Sequence, residues 1–258
     1  SQHVGLTKPD LNVFAIGVSR YPKLPASWQL DYAHTDAEAL VNALLKQKGK
    51  LFGDVRYNLV LNEKATAATI IDGLDGLGAI DENDMAVIFM AGHGVKDEEG
   101  TFYFLTTDGN IKQPHNGGIS WGLLGQYLDR IKGRVILLLD ACHSGSIVTE
   151  TVVPNDRLAQ EFFSGTHGGV MVFSASKGRQ YSMESPDIGG GFGLFTYALV
   201  QGLGPRAKEV DNNQNSVVEF MELVDYVREY VNQKTRGDQT PWLSRKELFG
   251  DLPLAMVE

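Results

Sequence analysis

The strongest constraint on the fold is an alternation between two periods. Short apolar runs, at 13–18, 57–61, 85–90, 135–139 and 170–173, the last three with hardly a polar break, are separated by segments whose apolar residues recur every three or four places. A strand buried on both faces reads as an unbroken apolar run, whereas a helix laid on a sheet carries a stripe of period 3.6. Ala37, Leu40, Val41, Leu44 and Leu45 form one stripe, and Ala67, Ile70, Ile71, Leu74 and Leu77 form the next. Each stripe sits between two runs, as a crossover helix joining parallel strands must. The chain is therefore expected to be α/β, with a mostly parallel central sheet and helices on both faces.

Two more stripes, Leu124, Tyr127, Leu128, Ile131 and Phe220, Leu223, Val224, Val227, Val231, predict further helices, and 195–203 predicts another. Thr35 followed by Glu38 has the spacing of a capping box, which would start the first helix with Asp36 in its opening turn. The segment 101–106, bracketed by Gly100 and by Asp108-Gly109, predicts a small hairpin arm. Two long polar connections, 144–169 and 205–216, exceed the usual loop length, and such loops are more often functional than idle.

Composition narrows the function classes. The 258 residues carry a formal net charge of -9, so no general basic field draws the molecule onto nucleic acid or anionic lipid. No run approaches the roughly 20 apolar residues of a membrane span, and the polar first residues lack a signal-peptide pattern, which predicts a cytoplasmic protein. With no repeat and no Pro-, Ser- or Gly-rich linker, residues 1–258 are expected to form a single domain. The single cysteine, Cys142, excludes an internal disulfide and any zinc site needing two thiolates. It is either a small buried residue or one kept for its reactivity.

Two of the apolar runs lead straight into chemistry. Met90-Ala91-Gly92-His93-Gly94 follows one, and Asp140-Ala141-Cys142-His143-Ser144-Gly145 follows the other. Ligands bind at the carboxyl ends of parallel strands, so if these strands are neighbours His93 and Cys142 face one crevice. A nucleophilic cysteine needs an imidazole to take its proton, and the same imidazole can protonate the leaving amine. His93 is the expected base. His143 is the rival, but adjacent side chains on extended backbone point apart. The Gly94 and Cys142 amides are candidates for an oxyanion hole. Against this stands the plain reading of a core cysteine and a turn histidine.

The two motifs together resemble the caspase and metacaspase group of cysteine peptidases, above all its bacterial metacaspase-like (orthocaspase) branch. Supporting matches are 30–37, similar to the start of the family's first helix; Phe173, Ser174, Gln180 and Ser182, similar to a strand segment; and Gly193 to Ala198, similar to the helix after it. The resemblance implies a three-layer sandwich with about six central strands. It also implies a part like the large subunit over about 1–150 and one like the small subunit over about 168–258. Cys142 becomes the nucleophile and His93 the general acid and base.

Specificity follows from the same resemblance. In metacaspases the primary (S1) pocket takes Arg or Lys through one Asp two places before the nucleophile and another at the start of the first helix; Asp140 and Asp36 stand there. The implied partners are peptides or proteins with Arg or Lys before the cut bond. Animal caspases instead have a pocket built around arginines and prefer Asp, and Arg179 is the one nearby basic candidate for that alternative. Each of the two acids also has an ordinary explanation, at a helix dipole or in a turn.

No cofactor is expected. Where calcium-dependent metacaspases carry acids downstream of the catalytic His, this chain has Gly118-Ile119-Ser120-Trp121, and Asp108 alone does not hold a hard cation. Activity without calcium is the expectation, with Asp97-Glu98-Glu99 a solvated loop and no metal-ligating residues. Arg157 and Lys112 mark loops where self-processing is conceivable. Two other classes compete: a catalytically silent caspase-like scaffold, and a nucleotide-binding α/β domain. The second lacks a phosphate loop, since Gly17-Val18-Ser19-Arg20 follows the first run.

Overall fold

The computed structural model describes residues 7–143, 169–175, 184–185, 191–245 and 251–258. The first half runs β1 (Leu11–Gly17), α1 (Ala33–Leu45), β2 (Val55–Leu61), α2 (Ala67–Gly76), β3 (Met85–Lys96), β4 (Phe102–Leu105), β5 (Gly118–Ser120), α3 (Trp121–Asp129) and β6 (Arg134–His143). The second runs β7 (Val170–Ser174), β8 (Glu184–Ser185), β9 (Phe192–Gly193), α4 (Leu194–Leu203), α5 (Ala207–Val210), β10 (Val217–Glu219), α6 (Phe220–Thr235), β11 (Trp242–Arg245) and β12 (Pro253–Met256).

The central sheet follows the order β11-β7-β6-β3-β1-β2, parallel throughout except for β11, which is antiparallel to β7 at the edge. β3 lies in the middle and shows why such a strand is apolar throughout. Met85, Val87, Phe89 and Ala91 pack under α1, α4 and α6 on one face, while Ala86, Ile88 and Met90 pack under α2 and α3 on the other. All seven are at most 2% exposed. Burying a large aliphatic or aromatic side chain stabilises by about 1.5–3 kcal/mol, so both layers depend on this one strand.

Three sequence expectations need correction. The apolar runs at 85–90 and 135–139 do not end where their hydrophobicity does; β3 continues to Lys96 and β6 to His143. Glycine disguised the continuation. A Cβ on Gly92 would lie 2.7 Å from the Tyr21 hydroxyl and one on Gly94 2.3 Å from the Phe102 ring, so the strand needs glycine where aromatic side chains press on it. Secondly, Thr35 does not cap α1. The helix starts three residues earlier, with Tyr32 at the N-cap position; the Tyr32 carbonyl accepts the Asp36 amide at 2.8 Å and the Thr35 hydroxyl at 2.9 Å. Asp36 does stand in the first turn. Thirdly, the connection 205–216 is not plain loop, because it contains α5.

The hairpin arm is present as β4 folded back on β3, with Lys96 opposite Phe102. Asp97 closes its turn by accepting the amides of Glu99 (3.0 Å) and Thr101 (2.8 Å). Among the described residues no helix is long and apolar enough to cross a membrane.

Candidate active site

The site is built where β3 and β6 run side by side past the ends of β1 and β7. Their register pairs Ala91 with Asp140, His93 with Cys142 and Gly94 with His143. The neighbouring strands anticipated from sequence are thus adjacent, and the two motifs meet residue for residue. For Cys142 and His143 the description is of backbone only.

His93 is 4% exposed and held from three sides. Its ring packs against Tyr21, centroids 5.0 Å apart and tilted, and edge-on against Trp28 at 5.2 Å. Its backbone N–H donates to the Tyr21 hydroxyl at 2.9 Å. Its Nε2 lies 2.5 Å from the Trp28 carbonyl oxygen. A carbonyl only accepts, so Nε2 carries a hydrogen, and in the neutral ring Nδ1 is then the nitrogen able to take a proton.

The loop that presents Trp28 is itself tied down. Gln29 accepts the Tyr21 amide at 2.8 Å and donates to the Tyr21 carbonyl at 2.9 Å, and Leu30 N–H reaches the Ser19 carbonyl at 2.9 Å. Fixing the ring's far nitrogen this way sets both tautomer and orientation before any substrate arrives.

Asp36 and Asp140 come from segments over a hundred residues apart in sequence and are 1% and 6% exposed. They meet at Gly193, the last residue before α4. Its amide donates to both Asp36 carboxylate oxygens, at 3.1 and 3.2 Å. A Cβ added there would lie 2.6 Å from one Asp36 oxygen and 3.2 Å from one Asp140 oxygen, so both carboxylates reach the same small space. Two buried like charges repel, and a cation between them relieves both.

The position of Asp36 depends on how closely α1 approaches β1. Gly17 permits the approach, since a Cβ there would fall 2.4 Å from the Ala33 carbonyl. The buried Ser19 hydroxyl accepts the His34 amide at 3.1 Å and shares a 2.7 Å hydrogen bond with His34 Nδ1, stitching the end of β1 to the first turn of α1.

The structure brings together His93, Asp36, Asp140 and the backbone of Cys142 and Gly94. Tyr21, Trp28 and Ser19 join them without having been singled out in the sequence. The Trp28 contribution is a carbonyl, which no residue pattern announces. Asp108 accepts the Thr106 hydroxyl at 2.8 Å and serves its own turn. Lys112 lies in the stretch between β4 and β5. Arg157, Arg179, Gln180 and Ser182 lie outside the described residues. Among the described residues no three His, Cys, Asp or Glu side chains gather in the manner of a metal cluster.

The sequence profile of the Caspase domain family matches residues 13–253. No curated protein matches the chain. Among solved structures, the crystal structure of protein GSU0716 from Geobacter sulfurreducens superposes with a TM-score of 0.67, covering 97% of this chain and 100% of that one at 17% identity. At that identity the likeness speaks for the fold. The family match spans nearly the whole sequence, including both strands that meet at the site. The chain belongs to the Caspase domain family, a family of cysteine peptidases.

Proposed function

We propose that this protein is an active cysteine endopeptidase that uses Cys142 and His93 and cuts after Arg or Lys. The observation that carries the reading is the coincidence of two arrangements on one pair of strands. His93 is the register partner of Cys142, and Asp140, two residues before Cys142, shares a buried space with Asp36.

In this reading a substrate Arg or Lys enters the space beside Gly193, and its charge is taken up by the two carboxylates. His93 Nδ1 accepts the thiol proton of Cys142, and the thiolate sulfur bonds to the carbonyl carbon. The oxyanion is held by the Gly94 and Cys142 amides. Collapse breaks the C–N bond as Nδ1–H protonates the leaving amine. Water, deprotonated by His93, then attacks the thioester and releases the acid, restoring the thiol. The Trp28 carbonyl supports the imidazolium through Nε2–H at each charged stage.

Residues 1–258 act as one peptidase domain in this scheme, with Arg157 a place for self-processing in the intervening segment. The centre needs no metal or cofactor, the partners are peptides and proteins rather than nucleic acid or membrane, and the setting is the cytoplasm.

The test is a panel of peptide substrates varied at the residue before the cut, assayed with a reductant, with and without a calcium chelator. Hydrolysis confined to Arg and Lys peptides and lost in Cys142→Ala is the expected result. Preference for Asp overturns the pocket and leaves the dyad. No hydrolysis of any peptide identifies a silent scaffold.

A further inference from the structure

We propose that residues 211–222 form a calcium-binding loop of the helix–loop–helix type, separate from the active site. A twelve-residue calcium loop presents side-chain oxygens at positions 1, 3 and 5, a backbone carbonyl at 7, a further oxygen at 9 and a bidentate Glu at 12, with a sharp turn at 6. This chain has Asp211, Asn213 and Asn215 at the first three, Val217 at the fourth, Glu219 at the fifth and Glu222 at the last. What identifies the loop is the order of oxygen-bearing residues, most of them neutral, rather than a gathering of acids.

The structure supplies the context this order requires. α5 ends at Val210, directly before position 1, and α6 begins at Phe220, placing Glu222 in its first turn. Position 6, usually glycine, is Ser216, which holds a left-handed φ of 65°. Position 8 is Val218, fully buried in the short strand β10 and paired with Ala255 of β12.

The carbonyl at position 7 is turned correctly. Along a strand, a residue's N–H and C=O point to the same side. Ser216 O accepts Val257 N–H at 2.9 Å on the β12 side, whereas Val217 N–H points back to Asn215 Oδ1 at 3.0 Å. The Val217 carbonyl therefore faces the loop.

Charge supplies a separate argument. Asp211 is 8% exposed, yet among the described residues none of Asp211, Glu219 and Glu222 has a Lys or Arg ion-pair partner. Their oxygens turn instead to neutral donors. Asp211 takes the amides of Asn215 (3.1 Å) and Ser216 (2.9 Å), Glu219 takes the Asn213 and Asn215 side chains, and Glu222 takes the amides of Asn212 (2.6 Å) and Asn213 (3.3 Å). A divalent cation held between these side chains would offset all three charges. Calcium suits the all-oxygen, flexible ligand set better than magnesium, which demands near-octahedral geometry. With three carboxylates the affinity belongs to the weaker end, Kd roughly 10⁻⁵–10⁻³ M.

The experiment is calorimetric titration of the whole chain with calcium chloride, paired with thermal melts at 5 mM calcium or magnesium. One binding event and a rise in Tm of roughly 2–15 °C with calcium are expected. Glu222→Gln removes a bidentate ligand, and Asn213→Ala removes a ligand from an exposed position where folding is not at stake; each should raise Kd at least tenfold. Asp140→Asn should keep the shift. Absence of heat and shift at 10 mM calcium, an equal shift with magnesium, persistence of full affinity in both loop variants, or loss of the shift in Asp140→Asn would each overturn the assignment.

Discussion

Two groups of carboxylates in this molecule are built in opposite ways. Asp36 and Asp140 are brought together by the fold, one from the first turn of α1 and the other from the end of β6, and they converge on Gly193. Asp211, Glu219 and Glu222 lie within twelve consecutive residues and are arranged by local turns. The first pair is nearly sealed by protein, while most of the loop from 212 to 216 is exposed. A buried, long-range pair suits the selection of one substrate side chain, because desolvation makes an unmatched guest costly. A local, exposed loop suits an ion that arrives with its own water and leaves again. In the two proposals, like chemistry serves recognition in one place and reinforcement in the other.

The comparison is most severely tested beside the first group. Replacing Cys142 by Ala should abolish hydrolysis of basic peptides, and His93→Ala should lower kcat/KM by about 10³-fold or more, measured under reducing conditions. If either variant retained wild-type activity, the Asp36 and Asp140 pair would have no chemistry to serve. Asp140→Asn should cost about 10²–10³-fold in kcat/KM for Arg and Lys peptides, because it removes one partner of a buried charged contact.

Gly193→Ala sharpens the same point by shape alone. Its methyl would press on Asp36 at 2.6 Å, so KM for basic peptides should rise about 10-fold or more with a smaller change in kcat. Phe89→Ala belongs to neither group and sets a baseline. It removes a fully buried ring from β3 and should destabilise by about 3–5 kcal/mol in denaturant melts. At the lower end, Asn213→Ala should leave the calcium-free Tm within about a degree and weaken only the calcium response, since an exposed side chain off the core contributes little alone.

Much of the architecture was legible in the amino-acid order because burial leaves a plain trace, plainest in the runs of β3 and β6, which are buried on both faces. Each of the five apolar runs became a strand of the central sheet, and each stripe became a helix. The ends were less legible. Gly92 and Gly94 interrupt the apolar pattern where β3 continues, because the space above them is filled by Tyr21, Phe102 and Phe104. Thr35 and Glu38 had the right spacing for a cap, but the Tyr32 backbone starts α1 earlier. A spacing rule reports what a residue can do locally and not which neighbour reaches the spot first.

The site divides along the same line. His93 and Cys142 could be named from motifs, and the acids from a family resemblance. The Trp28 carbonyl, the Tyr21 hydroxyl and the Ser19–His34 link could not, because their roles come from approach across the fold rather than from residue type. The amino-acid order by itself determined the layered α/β plan, the single thiol and the two motifs that carry Cys142 and His93, since hydrophobic period and residue chemistry are carried in each residue. Only the tertiary structure decided that His93 lies in register with Cys142, that Nε2 is the nitrogen committed to a carbonyl, and that Asp36 and Asp140 share one space. These are relations between segments distant in sequence, set when packing closes the sheet and its helices on one another.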